Sequence, residues 1–160
     1  CKGESAMVSK KEHQAHSHCP LALGLDIVGD HWTLLIVRDL LFGKHEFKEF
    51  LESDEGISSN ILSDRLARLQ AQTVVQWIHH PQSKKRKLYY LTGKGKELIH
   101  VVVPLVRWSL KHRQGEVQIP AQRAAALQQG PEQFIRSTLQ ALAEWESAHG
   151  IDAMGTHTRL

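Results

Sequence analysis

Apolar residues recur at helical spacing along most of the chain and switch to a strand-like period at one place. Residues 1–18 are polar and rich in histidine, which predicts a flexible tail. From Leu21 the pattern turns helical: Leu21, Leu23, Leu25, Ile27 and Val28 form a short apolar segment closed by Gly29. Asp30 is a suitable N-cap for the run HWTLLIVRDLLF, in which Leu34, Leu35, Val37, Leu40 and Leu41 supply a wide apolar face. Gly43 is placed to stop that helix. Phe47, Phe50 and Leu51 are spaced to face a core from a shorter helix over 46–52. After the turn Asp54-Glu55-Gly56, Ser58 can cap a helix of about four turns on which Leu62, Leu66 and Leu69 make one buried stripe. Its opposite face carries Ser59, Asn60, Ser63, Asp64, Ala67 and Arg68, mostly short and polar.

The period then changes. Val74–His80 is rich in β-branched and aromatic residues, apolar character resumes at Leu88–Leu91, and PQSKKRK lies between them. The expectation is a hairpin with Lys84, Lys85, Arg86 and Lys87 at its tip. Thr92 caps a further helix running through Leu98, Ile99, Val102, Val103, Val106 and Leu110, and Pro104 within it predicts a kink or joint. Gln114–Pro120 breaks the pattern. Gly130-Pro131 opens a last helix whose Ile135, Leu139, Leu142 and Trp145 share a face. These elements predict a mainly α protein with a small β-hairpin: a His-rich tail over 1–18, a helix-and-hairpin domain over 19–112, and a helical extension over 113–160.

A hydrophobic fraction of 41% is enough for a packed core, and 160 residues suit one domain with appendages. No apolar run approaches the roughly 18 residues of a membrane span. The charged N-terminal stretch lacks the apolar segment of a secretory signal, so the expected location is the cytoplasm, with no membrane partner. Charge distribution changes the picture more. The net charge is +3, but residues 57–96 alone carry +7, while residues 1–56 carry −4 and residues 113–160 carry −1. A local cationic patch suits a polyanion, because basic groups bound to phosphates release counterions. A merely solvated basic face has the same composition, so charge alone leaves both readings open.

Order decides between them. Helix, turn, helix and then a basic hairpin is the plan of a winged helix-turn-helix, whose second helix enters the major groove of double-stranded DNA. Asn60 can offer paired hydrogen bonds to adenine, and Ser58, Ser59 and Ser63 can reach base edges or phosphates. Arg65 and Arg68 suit phosphates or the groove edge. Lys84, Lys85, Arg86 and Lys87 suit a neighbouring minor groove, whose narrow stretches attract cationic side chains. Each residue alone reads as ordinary helix or strand surface; the arrangement is more specific than its members.

The chain also resembles the HxlR family of winged-helix regulators, relatives of the MarR group. The match runs through Cys19-Pro20, GDHWTLLIVRDLLFG at 29–43, FKEF at 47–50, GISSNILSDRLARL at 56–69, YYLTGKGKEL at 89–98 and Trp108. The resemblance implies a homodimer, joined through the first helix and the helix after the wing, on a near-palindromic operator. It also implies that Cys19 can sense electrophiles or oxidants, as a cysteine before the first helix does in some members. A helix N-terminus favours the reactive thiolate. The alternative for Cys19 is a small buried residue packed on that helix. Two features depart from the family pattern. Gln72-Thr73 stands where the family has a glycine in left-handed conformation, so either the turn differs or the helix runs on. Residues 113–160 lie beyond the family's usual end.

Other chemistries find little support. His13, His16, His18 and Cys19 form H-x-x-H-x-H-C, but this spacing matches no closed zinc site, and no metal or cofactor is expected. The GKGK segment lacks the spacing of a phosphate loop. Two cysteines, Cys1 and Cys19, are too few for a disulfide framework; any disulfide would be intermolecular, with Cys1, or with a small thiol. No paired carboxylates or nucleophile–base set suggest an enzyme. The rival to a DNA-binding regulator, with a possible small-molecule or oxidant effector, is a winged-helix module that binds protein.

Overall fold

The computed structural model describes Glu12, His13 and residues 16–152. Most of the His-rich tail, including Cys1, and residues 153–160 therefore lie outside the described residues. Among the described residues, eight helices and one hairpin follow in the order α1 (Pro20–Val28), α2 (Thr33–Leu41), α3 (Phe47–Leu51), α4 (Ser59–Ala71), β1 (Val75–His80), β2 (Ser83–Leu91), α5 (Gly93–Lys96), α6 (Ile99–His112), α7 (Ala121–Gln129) and α8 (Pro131–Ala148).

Local chemistry accounts for most boundaries. Trp32, not Asp30, takes the N-cap position of α2, but Asp30 still holds its start from two residues upstream, its Oδ1 accepting from the backbone N–H of Trp32 at 2.9 Å and of Thr33 at 3.1 Å. Gly43, at φ 90°, ends α2 with its N–H on the Leu40 carbonyl and the Lys44 N–H on the Asp39 carbonyl. That pair of bonds is a Schellman motif, which needs a left-handed residue. The Ser58 Oγ caps α4 by accepting from the Ile61 N–H at 3.3 Å. Leu62, Leu66 and Leu69 are all buried, so the predicted stripe is the one α4 turns inward.

Two elements differ from the sequence reading. The helix expected from Thr92 is divided. Thr92 caps only the short α5, through the Gly95 N–H at 3.2 Å, and α6 begins after Glu97-Leu98. Gly95 is required there, because a β-carbon would stand 2.2 Å from the Val74 carbonyl oxygen. The hairpin also closes earlier than expected, at Pro81-Gln82, so the basic run lies on β2 rather than at the tip. Pairing jumps from His79 opposite Lys87 to His80 opposite Ser83, so Lys84, Lys85 and Arg86 bulge from the ladder.

The core is built from α2 (Ile36, Val37, Leu40), α4, the base of the hairpin (Val75, Tyr89, Leu91) and α6 (Ile99, Val102, Val103). The C-terminal extension is part of it: Leu127 of α7 and Leu142 of α8 belong to the same cluster, and α8 packs on α2 and α6. On the expected last-helix face Leu142 is buried, with Ile135 and Leu139 partly buried against the core. No single helix among the described residues is long and apolar enough to cross a membrane.

Candidate nucleic-acid interface

The turn between α4 and the hairpin sets the angle between the two elements expected to act together. Thr73 takes the glycine position with φ 56°, the left-handed conformation that strains a β-branched residue. Its N–H reaches the Gln70 carbonyl at 3.0 Å and the Val74 N–H reaches that of Leu69 at 2.9 Å, again a Schellman motif. The turn is held from outside as well. The Thr92 hydroxyl donates to the Thr73 carbonyl at 2.6 Å, and Lys94 Nζ donates to that of Gln72 at 2.7 Å. The helix therefore does not run on, and the family's turn is made without its glycine.

With the buried stripe turned in, α4 presents Ser58, Ser59, Asn60, Ser63, Asp64, Ala67 and Arg68 to the surface. Arg68 is two-thirds exposed and pairs loosely with Asp64 at 3.0 Å. Arg65 differs from expectation. Its Nε donates to Asp30 Oδ1 at 2.8 Å and a second nitrogen meets Asp64, leaving the side chain 20% exposed. It holds α4 to the start of α2 rather than facing outward. Burial works against the Asp30 charge, but the hydrogen bonds from Thr33, the Trp32 backbone and Arg65 outweigh it, and the carboxyl is lowered to about 2.

On the wing, Lys84, Lys85, Arg86 and Lys87 are all exposed, but unequally free. Arg86 forms a bidentate pair with Glu46 at the start of α3. Hydrogen bonding to Arg86 holds the Glu46 carboxyl below its ordinary range, and Glu46 raises the guanidinium in return. Lys87 Nζ sits 4.1 Å over the Trp77 ring, a cation–π contact. Sequence reasoning missed Glu46 as the neutraliser of Arg86. It also missed exposed Lys48, which lines a groove with Lys85, Arg86 and Lys87; a lone lysine on a short helix gives no signal in the sequence.

Cys19 is exposed at the N-cap of α1, its N–H donating to Ser17 Oγ at 3.1 Å, so it does not pack as a buried residue. His13 Nδ1 lies 2.7 Å from Asp26 Oδ1. Among the described residues no three His, Cys, Asp or Glu side chains converge to hold a metal. Helix α1 is strongly apolar yet has no buried residue, and Leu21, Leu25, Val101, Leu105 and Trp108 leave an exposed apolar face along α1 and α6.

A helix pair ending in a polar-faced α4, followed by a two-stranded basic wing, defines a winged helix-turn-helix protein. The chain belongs to the HxlR family: the HxlR-like helix-turn-helix matches residues 27–118. Among its relatives, the HTH-type transcriptional regulator YvaP of Bacillus subtilis is 34% identical over 92 residues, 57% of this chain and 85% of the relative. Rv3095 of Mycobacterium tuberculosis, another HTH-type transcriptional regulator, is 34% identical over 84 residues, 52% of each chain. The redox regulator HypR in its reduced form superposes with a TM-score of 0.55 at 26% identity, over 59% of this chain and 94% of HypR.

Proposed function

We propose that this chain is a sequence-specific DNA-binding regulator that acts as a homodimer on a near-palindromic operator. The observation that carries the reading is the continuity of the outward faces. Short polar side chains on α4 lie in the same domain as a cationic strand, and no acidic side chain except Asp64 interrupts the polar face of α4. Short side chains let a helix approach base edges closely, and lysines on a bulged strand follow a phosphate backbone. In this reading Ser58, Ser59, Asn60 and Ser63 meet the major groove and Arg68 its edge. Lys84 and Lys85 carry the wing's contacts, Arg86 and Lys87 contribute once drawn from Glu46 and Trp77, and Arg65 positions α4.

The exposed apolar face of α1 and α6 supports the dimer, because burying it removes large side chains from water. Two recognition helices would then address half-sites about 34 Å apart. Cys19 stands at the end of this same face, so oxidation or alkylation there would act on the interface that sets half-site spacing; likeness to the redox regulator HypR supports that role. The domain 19–112 would bind DNA and dimerise, with 113–160 added to it.

Selection of bound duplexes from a random pool, with reduced and with oxidised protein, tests the proposal. The expected product is a two-fold symmetric site whose enrichment changes on oxidation and no longer does so in Cys19→Ser. A pool with no enriched sequence would favour a protein-binding role instead.

A further inference from the structure

The extension beyond the matched family span makes three contacts around the wing: with His45 before α3, with Lys96 of α5 and with the hairpin itself. The Trp145 indole lies between two imidazoles: His45 stacks at 3.5 Å with planes 8° apart, and His149 at 4.1 Å and 24°. Lys96 Nζ of α5 donates to the buried Glu146 carboxylate of α8 at 2.6 Å. Ile151 joins Ile78, Leu88 and Tyr90 in a separate apolar cluster on the hairpin.

His45 connects these contacts to β2. Its Nδ1–H donates to the Tyr89 carbonyl at 2.8 Å, and its own carbonyl accepts the Tyr89 N–H at 2.7 Å. The next residue, Glu46, bridges to Leu88. A displaced His45 therefore displaces the strand that carries the basic run. Its other nitrogen, Nε2, is buried with no hydrogen-bond partner among the described residues.

We propose that His45 makes the extension a proton-released clamp on the wing, docked while the imidazole is neutral and freed when Nε2 takes up a proton. In the docked state that proton would sit on a buried atom with no acceptor, whereas release of α8 lets water solvate it. The groups near the ring are Glu49 of α3, whose carboxylate accepts the His45 backbone N–H at 2.8 Å, Tyr89 of β2, and His149, the C-cap of α8, across the indole; Glu146 beside Trp145 is already engaged by Lys96. Burial is the largest influence and lowers the imidazole, the Tyr89 carbonyl and Glu49 oppose it, and His149 adds to the lowering. Because the docked imidazole lies below the ordinary 6.5, clamping is complete above that pH and is lost as pH falls through the docked value.

Hydrogen exchange on the full chain between pH 8 and pH 5, corrected for intrinsic rates, reads this without reference to DNA. Protection of α8 and β2 should fall together in the wild type, approaching tenfold per pH unit below about 6.5 for one proton. His45→Asn, whose amide can still donate to the Tyr89 carbonyl, should show no such pH dependence, whatever its absolute protection, and His149→Gln should keep it. Flat protection in the wild type, an unchanged slope in His45→Asn, or a loss shared equally by α2 and α4 would overturn the proposal. In the wild type alone, NMR signals of the His45 imidazole and Trp145 indole should change in one step; separate steps would also overturn it.

Discussion

Thr73 shows how one residue can hold a strained conformation when its neighbours fix it. A left-handed backbone costs such a residue on the order of 1–3 kcal/mol, and glycine's extra freedom in the unfolded chain returns about 0.5–1 kcal/mol of that. Thr73→Gly should therefore stabilise the protein by about 1 kcal/mol, raising the melting temperature by roughly 2–4 °C; calorimetry checks it. Asp30 works in the opposite sense. Its folded carboxyl is lowered to about 2 from 3.8, so its contribution is fully present above pH 3.8 and is lost as pH falls toward 2. Asp30→Asn should cost about 2 kcal/mol at pH 7 and flatten the acid limb of the stability curve. At Asn60 the expected effect is on sequence choice: Asn60→Ala should relax preference at one operator position by about 1–3 kcal/mol while leaving binding to random duplex unchanged.

At the scale of elements, the wing's cations are partly held in reserve. Glu46→Gln should free Arg86 and remove a negative charge, strengthening binding to every duplex and steepening the salt dependence by about one counterion; salt titrations of wild type and variant check this. Helix α4 was legible in the sequence because everything that makes it is local: a serine cap, a leucine stripe at helical spacing, and a polar opposite face. The wing was legible as a hairpin but not in its register, because the bulge at Lys84–Arg86 follows from how β1 and β2 pair. The inward turn of Arg65 was not legible, since its partner Asp30 lies 35 residues away in the chain. The short α5 was hidden because Thr92 signals a helix start equally well for a long helix or a single turn, and the close approach of Gly95 to Val74 exists only in three dimensions.

At the scale of the whole molecule, two surfaces have different fates. The α1–α6 face is apolar and exposed, and its burial by a second copy is the expected assembly; Leu25→Glu combined with Leu105→Glu should halve the mass in sedimentation while the helical content stays the same. The extension instead folds back into the core through Leu127 and Leu142, which periodicity could suggest as a helical face but could not assign to a partner. Both surfaces matter because they bear on how α4 and β2, the two elements proposed to bind duplex DNA, are placed. The most direct test is affinity for the selected duplex and a scrambled one between 50 and 200 mM salt, a span over which six to ten phosphate contacts lose roughly 10³–10⁵ in affinity. The expected result is a linear fall of log K with log salt for both duplexes, with the selected one tighter throughout. Absence of binding to either duplex at the lowest salt would contradict it.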